Sequence, residues 1–148
     1  KPGKSPCSLC AKMRRGALNA KAKALGCNKV ALAHHRDDAL ETFLLSMFYE
    51  GRLNTLAPKS YLQRADLTVI RPFLYLEEKH IKGAVRQLGL PVVPSLCPFD
   101  GHTKRETMKQ YLKELRKQFK RADEMMFFAL SNTDGYHLWD QYKQPPTI

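Results

Sequence analysis

The order of apolar and polar positions predicts five helices and two strands. From Leu9 to Leu25, Leu9, Met13, Ala17, Ala20 and Ala24 recur at helical spacing, and Gly26 is placed to stop the helix. Val30 to Ala33 is a short apolar run without alternation, the pattern of a strand buried on both faces. A second helix opens with Asp37 or Asp38 as its cap, carries Leu40, Phe43, Leu44, Met47 and Phe48 on one face, and ends at Gly51. Residues 52–66 read as a loop around Pro58, and Leu67 to Ile70 as a second buried strand halted by Arg71-Pro72. The third helix, from about Glu77 to Leu88, presents Ile81, Ala84, Val85 and Leu88 and breaks at Gly89. The fourth, from about Thr103 to Arg121, places Met108, Tyr111, Leu112, Leu115 and Phe119 inside, and a shorter buried helix covers Met125 to Leu130. The tail from Ser131 carries Trp139, and its apolar content points to packing with a frayed end.

Strand, turn and helix in that order make half of a βαβ unit. Two strands of the doubly buried kind need neighbours on either side, so the chain reads as the second half of an α/β domain. Parallel strands with flanking helices fill residues 1–95, and a helical basic region at 96–148 packs on them. A length of 148 residues with 43% hydrophobic and 26% charged residues is a globular balance. No apolar run approaches the roughly 20 residues that span a bilayer. No signal peptide opens the chain and its four cysteines do not form a secreted disulfide pattern, so a cytoplasmic protein is expected.

Charge changes the picture. Lys and Arg number 25 against 14 Asp and Glu, a net +11, which favours a polyanionic partner through counterion release. The surplus is concentrated on the fourth helix. Lys104, Arg105, Lys109, Lys113, Arg116 and Lys117, with Lys120 and Arg121, face only Glu106 and Glu114, an electrostatic footprint for RNA or DNA.

Two further constellations carry chemistry. Cys7 and Cys10 form a CxxC that Cys97 can join, a donor set for an iron–sulfur cluster with one open iron or for zinc completed by His102. His34-His35-Arg36-Asp37-Asp38 follows the first strand, at the carboxyl end where open α/β sheets bind ligands. Two carboxylates there suit Mg²⁺ on a polyphosphate, beside a helix N-terminus that favours anions. Arg14 and Arg15, a turn beyond the CxxC, can neutralise phosphate near the thiolates or form a solvated face.

Taken together, CSLCAKMRRGAL, ALAHHRDDALETFLLSMFYEGRL, APK, VIRPFLYLEE, SLCPFDG and ALSNTDGYHLWD resemble the tRNA 2-thiocytidine synthetase group of the PP-loop ATP pyrophosphatases, from about Ser5 to Asp140. The resemblance implies a Rossmann-like PP-loop (adenine nucleotide alpha-hydrolase) domain. It also implies an enzyme that spends ATP and Mg²⁺ to adenylate a cytidine C2 carbonyl oxygen of tRNA and releases pyrophosphate. Sulfide held by a [4Fe-4S] cluster then displaces AMP. By the same carry-over Cys7, Cys10 and Cys97 match the cluster ligands, Asp37 and Asp38 an acidic pair and Arg14 a basic position in catalysis. His34 and His35 join the aspartates at the nucleotide. A sulfur donor, a cysteine desulfurase or free sulfide, and a homodimer are further expectations.

The family's pyrophosphate-binding loop, SGGxDS, belongs upstream of the CxxC and does not occur in these residues; Gly3-Lys4-Ser5 lacks the preceding strand and second glycine. With no initiator Met, the chain reads as a C-terminal fragment expected to be inactive alone. Two other readings stay open: a zinc-stabilised RNA-binding module without catalysis, and a sister PP-loop enzyme such as tRNA-lysidine synthetase, which lacks the cysteines.

Overall fold

The computed structural model describes residues 6–98, 101, 103–132 and 134. Its elements run α1 (Pro6–Ala24), β1 (Lys29–Ala31), α2 (Arg36–Glu50), β2 (Lys59–Leu62), β3 (Leu67–Ile70), α3 (Glu78–Gln87), α4 (Lys104–Gln118) and α5 (Ala122–Ser131). Proline opens α1 at a position whose N–H has no helical partner in any case.

The sheet has the order β1-β3-β2. β1 and β3 are parallel with Ala31 opposite Ile70, and β2 is antiparallel to β3 with Lys59 opposite Ile70. β2 lies inside the stretch expected to be a loop. Its four residues, KSYL, are too few and too polar to show a strand pattern, but a turn fixes them against β3. There the Ala65 N–H bonds the Leu62 carbonyl at 3.0 Å, and Tyr61 Oη donates to Asp66 Oδ1 at 2.7 Å. The sheet is therefore mixed, not purely parallel. Nor is β1 buried on both faces: Val30 is buried while Lys29 and Ala31 are exposed. β1 is an edge of the described sheet, and Ala22 of α1 packs with Val30 and Leu67 in the smaller of two cores.

The larger core joins helices. Leu40 and Leu44 of α2 meet Met108 and Leu112 of α4, with Phe43, Met126, Phe127 and Leu130 packed around them. Each of these buried side chains contributes about 1.5–3 kcal/mol relative to exposure. Gly51 closes α2 in the left-handed conformation at φ 63°, a role that suits glycine.

Several apolar positions of the predicted helices face solvent. On α1, Leu9 is 62% exposed and Met13 68%. Leu88, just past the end of α3, is 70% exposed, and no residue of α3 or α5 is fully buried, although Met126, Phe127 and Leu130 pack partly buried on the core. Phe48, Tyr111 and Phe119 are exposed as well. An amphipathic period records which face avoids water, but not whether the described residues include its cover. Among these residues no helix is long and apolar enough to cross a membrane. Trp139 and the tail lie outside the described residues.

Candidate active site

Parallel pairing of β1 with β3 brings the residues after each strand together. His34 follows β1 and Arg71 follows β3, and the Arg71 Nε–H donates to His34 Nδ1 at 3.3 Å. Arg71 is itself anchored by Nη1 donating to the Ala57 carbonyl at 2.5 Å and to Ser60 Oγ at 3.4 Å. Burial holds the His34 imidazole below its usual pKa. Asp38 opposes that shift, while Arg71, Arg105 and His35 add to it. Burial, with the charge of Arg15, likewise lowers Arg71.

The next four residues start α2. His35, not an aspartate, is its N-cap: its backbone N–H donates to Asp38 Oδ2 at 3.0 Å, three residues ahead. The imidazole Nε2 lies 3.4 Å from the same oxygen. Arg36 pairs with Glu77 at 2.9 Å, and its backbone N–H bonds the Leu76 carbonyl at 2.8 Å. Asp37 is buried, with Oδ2 accepting the Glu78 N–H at 2.7 Å and Oδ1 accepting Arg116 Nη2 at 2.5 Å. The first turn of α2 thus caps α3 and ties down α4. Among the described residues, the buried Nδ1 of His35 and Nε of Arg36 have no hydrogen-bond partner, and these are polar atoms a ligand can satisfy.

The expected acidic pair is therefore engaged within the protein. Asp37 is committed to a helix end and an arginine, and Asp38 Oδ1 stands 3.8 Å from Arg105 Nη1. Arg105 also donates to buried Glu41 at 2.9 Å and to Thr42 at 3.1 Å. Burial raises the Glu41 carboxyl above its usual pKa even though Arg105 pulls it down.

The same contacts redraw the basic face of α4. Lys109 pairs with Glu78 at 2.9 Å, Arg116 with Asp37 and Asp123, and Lys117 with Glu114 at 2.7 Å. Lys104 sits 3.9 Å over the Tyr49 ring, and Lys113 is exposed. Several positions expected to meet RNA are thus bound to the protein's own acids.

Cys7 and Cys10, three apart in the first turns of α1, share one helix face and are both exposed. Cys97 is exposed in the segment between α3 and α4, its N–H 3.3 Å from Ser95 Oγ. Among the described residues no three His, Cys, Asp or Glu gather into a group that could hold a metal. The donor set, two solvent-accessible thiols at a helix start with no acidic residue in its first turn and a third on a distant segment, suits iron or zinc, but the structure does not assemble it. His102, the candidate fourth ligand for zinc, lies outside the described residues, and Arg14 is exposed on α1.

Arg71 and Arg36 went unassigned in the sequence. The only local signal was the RP dipeptide after β3 and the arginine inside HHRDD. Beside this corner a cavity of about 610 Å³ opens between α2, the 53–58 loop and α5, walled by Phe43, Leu74, Tyr75 and Phe127.

The sequence matches the PP-loop domain family over residues 8–94. It is 44% identical over 146 residues to the tRNA-cytidine(32) 2-sulfurtransferase of Pelobacter propionicus, covering 97% of this chain and 54% of that protein. Identity to the Geobacter metallireducens protein of the same name is 41% over 146 residues, 97% of this chain and 57% of that one. The chain thus spans about half the length of the curated relatives it matches. In structure it resembles the U34-tRNA thiolase NcsA from Methanococcus maripaludis, solved with its [4Fe-4S] cluster. The TM-score is 0.68 at 20% identity, over 86% of this chain and 43% of that one, which speaks for the α/β fold.

Proposed function

The chain belongs to the PP-loop domain family, and from that premise we propose that it is part of an ATP-dependent tRNA thiolation enzyme acting on a cytidine. The observation that carries this reading is the 44% identity to a tRNA-cytidine(32) 2-sulfurtransferase across 97% of the chain, with CxxC, HHRDD and the later cysteine in one frame. The geometry supports it: His34, Arg71 and the first turn of α2 converge at the carboxyl ends of two parallel strands, where such folds receive nucleotides.

A carbonyl oxygen is a poor leaving group, and adenylation turns it into a phosphate ester that leaves as AMP. In this reading His34 donates a hydrogen bond to a nucleotide oxygen, and Asp38 fixes the turn that carries His34 and His35. Asp37 acts by holding α2, α3 and α4 in one arrangement. Arg116 holds Asp37 and Arg105 stands near Asp38, so a Mg²⁺ would be held chiefly by the oxygens of the ATP polyphosphate, whose charge it would offset. Cys7, Cys10 and Cys97 are the residues that would hold a [4Fe-4S] cluster, which when bound supplies the place where sulfide is kept for delivery. Arg14 and Arg15, one turn beyond the CxxC, offset phosphate charge beside them. The basic face of α4 contacts tRNA.

The test is iron, zinc and acid-labile sulfide content after anaerobic purification, for the wild type and for Cys97→Ser. About four irons and four sulfides, lost in the variant, are expected. One zinc and no sulfide would replace this reading with an RNA-binding module, and the cysteines would then be structural.

A further inference from the structure

Arg71 is anchored at the strand ends through both its backbone and its guanidinium. Its backbone N–H bonds the Pro58 carbonyl at 2.9 Å, Nη1 reaches the Ala57 carbonyl and Ser60 Oγ, and Nε reaches His34 Nδ1. These contacts leave the guanidinium little freedom to turn. A guanidinium has donors and no acceptor. An imidazole nitrogen facing its Nε–H must therefore offer a lone pair, and in the neutral ring the proton then sits on the other nitrogen.

We propose that Arg71 is a positioning residue that locks His34 in the Nε2–H tautomer, so that His34 meets a nucleotide oxygen as a neutral hydrogen-bond donor and does not serve as a base. The lock rests on contacts within the chain; only the identity of the oxygen rests on the nucleotide reading above. Neutrality follows from the surroundings. Burial pushes the imidazole pKa down, and the two guanidinium groups of Arg71 and Arg105 outnumber the one carboxylate of Asp38 among the charges acting on it, with His35 beside it. A ring held this way has its acceptor nitrogen already occupied, so it has no free lone pair with which to remove a proton. The two residues meet because Ala31 and Ile70 are register partners in parallel strands, which sets the ends of β1 and β3 side by side.

Long-range proton–nitrogen correlation spectra of the ¹⁵N-labelled chain report which imidazole nitrogen carries the proton. At neutral pH, His34 is expected to show a pyridine-like Nδ1 and a pyrrole-like Nε2. In Arg71→Met, which keeps length without donors, the two nitrogen shifts should move toward each other as the tautomers mix. A wild-type ring protonated on Nδ1 overturns the proposal, and so does a variant that keeps the wild-type pattern. If Arg71→Met does not fold, the wild-type spectrum still decides. The donor role is read by ATP titration of His34→Gln, whose amide NH₂ reaches toward the Nε2 position, against His34→Asn. Gln should retain affinity where Asn loses about tenfold. Equal losses overturn the donor role. No ATP binding by the wild-type chain, which does not contain the pyrophosphate-binding loop, overturns the donor role of His34 within these residues and leaves the lock to the spectra.

Discussion

Both oxygens of Asp37 are spoken for, one by the Glu78 N–H and one by Arg116. Burial pushes its carboxyl pKa up, but these donors reverse that and hold it below the ordinary carboxylate range. A carboxyl depressed on folding contributes stability above its unfolded pKa and loses it as pH falls through the folded value. Asp37→Asn is therefore expected to cost about 2 kcal/mol at neutral pH, the low side for a broken ion pair because Arg116 is partly open to solvent. Urea midpoints followed from neutral to acid should show the gap to wild type closing; a gap of constant size would mean that Asp37 does not titrate as its contacts require. Glu41 has the opposite sign. Burial raises its carboxyl despite Arg105, so the stability linked to it is present in acid and fades as pH rises through the raised pKa. Glu41→Gln keeps an acceptor for Arg105 and removes a buried charge. A gain of up to about 1 kcal/mol at neutral pH, and none in acid, is expected from the same titration.

At the scale of elements, α2 joins the site to the core: its first turn caps α3 and binds α4, while Leu40 and Leu44 pack on Met108 and Leu112. Leu112→Ala opens a cavity between α2 and α4 and is expected to cost about 3 kcal/mol in urea unfolding, whereas Phe119→Ala, at an exposed position, should stay within about 0.5 kcal/mol. Equal costs would mean that the two side chains are not partitioned as the structure has them. The helices were legible because an apolar period of 3.6 repeats over ten or more residues, and β3 because Leu67 to Ile70 is bounded by a turn and a proline. β2 was not, since its pairing with β3 is written in a turn and not in its own four residues. In the site, HHRDD could be placed at a strand end from order alone. Its partners could not, because Glu78 and Arg116 lie 41 and 79 residues from Asp37, and Arg71 lies 37 from His34. Local pattern names the donors and acceptors, while the fold decides which of them meet.

Over the whole molecule the net charge of +11 predicts binding to RNA that weakens with salt, but it does not say which cations release counterions. The ion pairs do. A side chain already paired within the protein, such as Arg116 between Asp37 and Asp123, must break that pair before it can meet a phosphate, so its net contribution is small. Among the described residues an exposed lysine such as Lys113 breaks none, and Lys104 gives up only a contact with the face of Tyr49. Lys113→Gln and Lys104→Gln are accordingly expected to weaken tRNA binding and each to lower the slope of log K against log salt by about one. Lys117→Gln, which loses a lysine paired with Glu114, should change that slope by less than half as much, even though it removes the same formal charge. The measurement is a salt titration of tRNA binding for the three variants side by side. If all three slopes fall equally, net charge alone governs the encounter and α4 has no privileged face. If only Lys113 and Lys104 count, the RNA path runs along the part of α4 that the protein's own carboxylates leave uncovered.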